Sequence, residues 1–277
     1  MPDTPSTPVP SDEITALRGE IDALDDALHD LLMRRAAVVG RLADSRAKGI
    51  GSPLRPGREA AVLRRLLARH DGPLGRERIV RIWREIFMAS SAIQGAISVA
   101  VHAPGGETRL AQEHFGPIAP MRIHPTPARA LAAVSAGEAS VAMLPLPAEG
   151  EDAATAWWAW LDVPRLQVVA RLPFMAATDG VGALVVAPVP PDPSGADRSL
   201  VLVEAEPRAS RSRIAQGFEA AGFTVTSLLL ARAAEETLAL TEVEGFLGAE
   251  DPRLAALPWP RRTILGAYAA PVPGDQP

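Results

Sequence analysis

At 277 residues and 47% apolar content, the chain is long enough for two or three compact domains and too apolar for general disorder. A net charge of -5 and a pI near 5.6 argue against a dedicated nucleic-acid binder, while leaving room for a local basic site facing an acidic metabolite. The absence of cysteine excludes disulfides, thiolate zinc sites and cysteine nucleophiles, and fits a reducing cytoplasm.

The first ten residues, MPDTPSTPVP, are Pro-rich, carry neither the basic nor the apolar part of a secretory signal, and read as a disordered tail. No apolar run of about 18 residues occurs, so no membrane span is expected. Ser11, Asp12 and Glu13 then suit a helix start. Ile14, Leu17, Ile21, Leu24, Leu28, Leu31, Leu32, Val38, Val39 and Leu42 recur three or four apart and predict one long amphipathic helix to about Lys48.

That helix carries Arg18, Arg35 and Arg46. Arg35 and Arg46 are eleven residues apart, about three turns and roughly 16 Å, so they share a face and could grip two ends of a small dianion. Arg18 lies roughly 25 Å further back along the axis. It could reach the same molecule only from an antiparallel second copy, which points to a dimer with shared sites. The alternative is a polar face of solvated arginines, and spacing by itself leaves both readings open.

Gly49, Gly51, Pro53 and Pro56 interrupt the pattern. A second helix is expected from Arg58 to His70 with Val62, Leu63, Leu66 and Leu67 buried, and a third from about Arg76 to Gln94 with Ile79, Ile82, Trp83, Ile86, Phe87 and Ile93 on one side. Two shorter helices cannot cover the long one, so its uncovered apolar length again asks for a second chain. From Ala96 strand-like and helical runs alternate, as in an α/β layer with a parallel sheet. DAATAWWAWLD reads as a helix. Its Trp157, Trp158 and Trp160 suit core or lid packing better than base stacking, since no basic residue interleaves with them. Pro188 to Asp197 reads as a linker. The last 80 or so residues follow the order strand, helix, strand, strand, short helix, strand, which is ferredoxin-like.

Over residues 11–95 the motifs LRGEIDALDDALHDLLMRR, RPGRE and IWREIFMASSAIQ resemble the all-helical class of chorismate mutases. The resemblance implies a three-helix protomer interlocked as a homodimer, which rearranges chorismate to prephenate in aromatic amino-acid biosynthesis without a cofactor or metal. By it, Arg18 comes from the partner chain, Arg35 binds a substrate carboxylate, and Arg46 stands where the family usually has a lysine on a carboxylate and the ether oxygen. Arg58 and Glu59 match the pair opening the second helix, with the glutamate accepting from the substrate hydroxyl. Ser90 matches a serine near the ring carboxylate and Gln94 a glutamine on the ether oxygen. Arg46 keeps the charge but replaces a point donor by a planar fork, and Arg55 stands where many relatives carry an acid.

Residues 96–196 resemble more weakly a shortened, degenerate prephenate dehydratase lobe, an incomplete α/β fold of the periplasmic-binding-like kind, and 197–277 an ACT-like module. APGGETRLAQEHFG and AMLPLPAEG stand in for that family's segments, but its Glu-Asn-Ser and Thr-Arg-Phe triplets are missing, which argues against dehydratase activity. The ACT effector motifs are not recognisable either. The reading is therefore multi-domain, with a tail at 1–10, a mutase-like helical domain at 11–95, the lobe at 96–196 and the ferredoxin-like module at 197–277. The expected function is chorismate mutase. A non-catalytic regulatory or scaffold partner of aromatic amino-acid enzymes and a bifunctional mutase/dehydratase are the alternatives. Neither nucleic acid nor membrane is an expected partner.

Overall fold

The computed structural model describes residues 11–46, 54–104, 108–176, 180–232 and 235–274, with the side chain of Arg46 outside that set. The expected N-terminal tail, the helix end at Lys48, Gly49, Gly51, Pro53, the glycine pair at 105–106 and the last three residues lie outside the described residues. The chain divides into two compact units, 1–51 and 52–277.

The first unit holds α1, Ser11–Arg46. Its 36 residues extend about 54 Å at 1.5 Å each, and Thr15 Oγ1 donates to the Ser11 carbonyl at 2.9 Å in its first turn. Leu17, Ile21, Leu24, Leu28 and Leu31 are 52 to 58% exposed. The stripe predicted by periodicity therefore exists as an open apolar face on the single chain.

The second unit opens with α2, Pro56–Ala68, and α3, Arg76–Gln94. Pro56 sits in the first turn of α2, where its missing N–H costs nothing. The rest alternates β1 (Val99–Val101), α4 (Thr108–Phe115), β2 (Met121–Ile123), α5 (Pro127–Ser135), β3 (Val141–Pro145), β4 (Gln167–Leu172), β5 (Ala183–Ala187), β6 (Asp197–Ala205), α6 (Arg211–Ala220), β7 (Val225–Arg232), β8 (Thr237–Glu244), α7 (Arg253–Ala256) and β9 (Arg262–Ala269). All nine strands join one sheet in the order β2-β1-β3-β5-β4-β9-β6-β8-β7.

Of the parallel sheet expected after Ala96, parallel pairing is found in β2, β1 and β3 and again between β4 and β9. Between them β5 is antiparallel to both β3 and β4. The C-terminal elements follow the expected order, with β9, β6, β8 and β7 antiparallel throughout.

Two other expectations are corrected. The tryptophan segment forms only a 3-10 turn, Trp157–Trp160. Its three indole N–H groups donate to the Pro145 carbonyl, Glu151 and the Ala153 carbonyl, which anchors the segment by its side chains instead of by a helical ladder. Trp157 and Trp158 enter the core, whereas Trp160 stays outside. The segment Pro188–Asp197 is not a free linker. Asp192 caps α2, and the Asp197 carboxylate accepts from the Ser194 and Gly195 backbone N–H groups. Arg64 of α2 then grips the Ser194 hydroxyl at 2.7 Å and the carbonyls of Ala196 and Ala270 at 2.8 and 2.6 Å. Burial lowers the pKa of Arg64 and the nearby Asp197 opposes that shift.

The two halves of the sheet meet where β4 runs parallel to β9, with Val168 opposite Gly266. Gly266 has φ +143°, and a Cβ there would lie 2.1 Å from the Val168 carbonyl oxygen. A side chain would thus be both conformationally strained and in collision with backbone. Gly266→Ala is expected to lower stability by more than about 1 kcal/mol, read as a reduced urea midpoint. An unchanged midpoint would show that the seam tolerates a side chain.

Candidate active site

The N-terminus of α2 presents free backbone N–H groups and the positive end of the helix dipole. Asp192 fills that position. Its Oδ1 accepts from Gly57 N–H at 2.9 Å, and its Oδ2 accepts from Arg58 N–H at 3.0 Å and from Arg55 Nε at 3.1 Å. Gly57 permits the approach, since a Cβ there would stand 2.0 Å from the Asp192 carbonyl oxygen. Arg55, where an acid was the family expectation, thus pairs with an acid supplied by a distant loop. Arg58 is fixed through its backbone while its side chain remains exposed.

Next to it, Glu59 points inward and its Oε2 accepts from Arg84 Nη1 of α3 at 2.8 Å. The pair is buried, with side chains 14% and 7% exposed. Desolvation lowers the pKa of Arg84 while the charge and hydrogen bond of Glu59 raise it. Guanidinium remains protonated even so. Its Cζ also lies 5.7 Å from the centroid of the Phe174 ring, a cation–π contact. His114 of α4 is held well below the ordinary imidazole range, first by burial and then by repulsion from Arg84, and so is neutral near pH 7.

Ser90 is buried on α3 and its hydroxyl donates to the Ile86 carbonyl at 2.6 Å. Gln94 Nε2 donates to the Ser90 carbonyl at 3.1 Å. The two side chains, four residues apart, therefore share one helix face and are both turned along their own backbone. α2 and α3 pack together in the second unit, so Arg58, Glu59, Ser90 and Gln94 belong to one packed pair of helices. Arg18 and Arg35 lie on α1, and Arg46 is its last residue.

The buried face of α3 differs from the expected one. Arg84, Phe87, Ser90 and Ser91 face inward, whereas Ile82 and Ile93 are exposed. The helix has apolar residues on two sides, and the side carrying Phe87 joins Leu63, Leu67, Phe174 and Met175 in a common cluster. Sequence reasoning missed Arg84 and Asp192. Arg84 left a trace, because it falls three residues before Phe87 and seven before Ser91, on a core-facing row where an unpaired charge is not tolerated. Asp192 left none, since a loop residue 135 positions from its partner follows no periodicity. Among the described residues no cluster of three or more His, Asp or Glu side chains is placed to hold a metal ion. Among them, too, no helix is long and apolar enough to cross a membrane.

Residues 17–95 match the family model of chorismate mutase type II. A bifunctional chorismate mutase/prephenate dehydratase of Pseudomonas aeruginosa is 35% identical over 112 residues, covering 38% of this chain and 31% of that protein. Its counterpart from Stutzerimonas stutzeri is 35% identical over 115 residues, with the same shares. The chain thus spans about a third of the length of these curated relatives. Among solved structures, a prephenate dehydratase from Arthrobacter aurescens in complex with L-Phe is similar at 16% identity and a TM-score of 0.48, over 63% of this chain and 90% of that one. The resemblance of the helical segment to chorismate mutases is borne out by the family match, and all seven candidate site residues fall within the matched span.

Because the folded pKa of His114 is depressed below 6.5, its neutral form stabilises the fold fully above pH 6.5. That contribution is lost as pH falls from 6.5 toward the folded value. His114→Phe is therefore expected to flatten the acid-side decline of the urea midpoint between about pH 6.5 and pH 5 relative to wild type. Parallel declines in the two proteins would contradict a buried neutral imidazole.

Proposed function

We propose that this chain is a chorismate mutase working as a homodimer, with the sheet body serving assembly or regulation. The observation that carries the reading is the match of residues 17–95 to the type II family, a span that contains every candidate residue from Arg18 to Gln94. In the rearrangement the ether C–O bond breaks as a C–C bond forms within the same molecule. Negative charge grows on the ether oxygen, and the substrate must be held in a compact shape.

By family resemblance Arg35 and Arg46, with Arg18 of the partner subunit, hold the two carboxylates. Orientation of this kind lowers barriers by up to about 7 to 11 kcal/mol in favourable systems. Gln94 and the Arg46 guanidinium donate to the ether oxygen, and fixed donors at such a position contribute about 3 to 4 kcal/mol each. Ser90 and Arg58 complete the seat. Glu59 keeps its hydrogen bond to Arg84 while accepting from the substrate hydroxyl, because an ionised carboxylate offers about four lone-pair sites. The open apolar stripe of α1 supports the dimer, since an apolar face some 54 Å long is not left in water at no cost.

We read the region 96–277 as a dehydratase-like lobe followed by an ACT-like module without dehydratase activity, since the Glu-Asn-Ser and Thr-Arg-Phe triplets are missing. The names of the curated relatives favour the second, bifunctional reading. Incubation with prephenate at neutral pH separates the two. No phenylpyruvate is expected, and its appearance at a rate proportional to enzyme would establish the bifunctional reading.

The main proposal is tested by following chorismate consumption. Gln94→Ala is expected to lower kcat by about 100-fold or more with the fold intact by circular dichroism. Wild-type turnover in that variant would contradict the assignment. Mixing Arg18→Ala chains with Arg35→Ala chains, each inactive alone, is expected to restore part of the activity, because one site of each heterodimer then has an intact Arg35 from one chain and an intact Arg18 from the other. No recovery in verified heterodimers would count against shared sites.

A further inference from the structure

Between α3, α4 and the segment following β4 lies a cavity of about 180 Å³ that the proposed mutase chemistry does not use. Leu110, Leu172 and Phe174 form its apolar wall, and Arg84, Arg109 and His114 are its main polar groups. At the mouth Glu113 accepts from Arg109 at 2.8 Å and from Arg81 at 3.5 Å, with Glu77 alongside.

The donors on Arg84 are only partly spent. The side chain is 7% exposed and its guanidinium offers five N–H donors. Among the described residues it makes one hydrogen bond, from Nη1 to Glu59. His114 makes no hydrogen bond among the described residues, and its neutral ring presents one donor and one acceptor. These groups open on the cavity and are not sealed away without a partner, in a space large enough for more than water. A carboxylate supplies the missing acceptors in a geometry that matches the planar fork.

Charge and size narrow the ligand further. Glu59 offsets Arg84, and Glu77 and Glu113 together offset Arg81 and Arg109, so the cavity has no surplus for a dianion. An apolar cavity of about 150 Å³ accepts a benzene ring, so this one has room for a ring or branched alkyl group with a short acidic arm. We propose that this cavity binds a small monocarboxylate carrying one aromatic or apolar group, its carboxylate on Arg84 and its apolar part against Phe174. Since the same guanidinium holds Glu59, the mutase reading gives such a ligand a lever on turnover, but the site itself does not depend on that reading.

Phenylacetate titrated into the full chain, with binding followed by calorimetry, tests the proposal without recourse to activity. Saturable binding is expected for phenylacetate, and binding at least about tenfold weaker for the neutral phenylacetamide. Arg84→Lys keeps a charge beside Glu59 but removes the fork, and it is expected to weaken phenylacetate binding by a similar factor. If that variant does not fold, Val80→Phe serves instead, because it fills the cavity from a half-buried position on α3 and leaves the ion pair untouched. Absence of saturable phenylacetate binding, equal affinity for the amide, inorganic phosphate binding in its place, or full affinity in a folded Val80→Phe chain would each overturn the proposal.

Discussion

The ion pair between Glu59 and Arg84 is the constraint on which the second unit's helices depend. Both groups are withdrawn from water, and a charge so placed is tolerated only with its partner in contact. The pair therefore fixes the rotation of α2 about its axis and the register of α3 against it. Through the Arg84–Phe174 contact it also fixes both helices against the segment following β4. Leu63, Leu67 and Phe87 fill the remaining space with contacts that have no directional preference of their own. Burial of apolar area brings the helices together, and the charge pair selects one arrangement.

The same logic recurs where the two halves of the sheet are joined. A single register pair, Val168 with Gly266, carries the parallel seam, and polar groups reinforce it from one side. Tyr268 on β9 donates its hydroxyl to Glu242 on β8, while Arg171 on β4 lies 3.6 Å from that carboxylate. Burial first, and then the neighbouring Glu242 charge, raise the pKa of Tyr268, so the phenol remains a donor across the physiological range. The loop before β6 completes the link: Asp192 holds the start of α2 and Arg64 holds the loop in return. The α2–α3 pair and the C-terminal strands are thus tied through this loop by ions and hydrogen bonds between residues more than a hundred positions apart.

Much of this was legible in the sequence wherever a period repeats. The start of α1, the limits of α3, the open stripe on α1 and the order of the C-terminal elements follow from spacing and from turn residues. The candidate residues Arg18, Arg35, Arg46, Arg58, Glu59, Ser90 and Gln94 were legible only through family motifs, because a polar side chain on a helix carries no periodic sign of what it faces. Period fails altogether for contacts made once. Nothing in Pro188–Asp197 distinguishes a linker from a brace until Gly57 is seen to leave room for Asp192. The short WWAW segment likewise satisfies its indoles outside any helix. On α3, two apolar rows compete, and only packing against Phe174 decides that Phe87 turns inward and Ile82 outward.

The most direct measurement of the governing ion pair is a double-mutant cycle in urea unfolding, with Glu59→Gln, Arg84→Met and the combined variant compared with wild type. Each single change leaves one buried group without its partner, and the expected cost is about 3 to 5 kcal/mol. The combined change removes both, so its loss should fall well short of the sum, with a coupling above roughly 1 kcal/mol. Losses that add within about 0.5 kcal/mol would show that the two side chains act independently, and the arrangement of α2 and α3 would then need another cause.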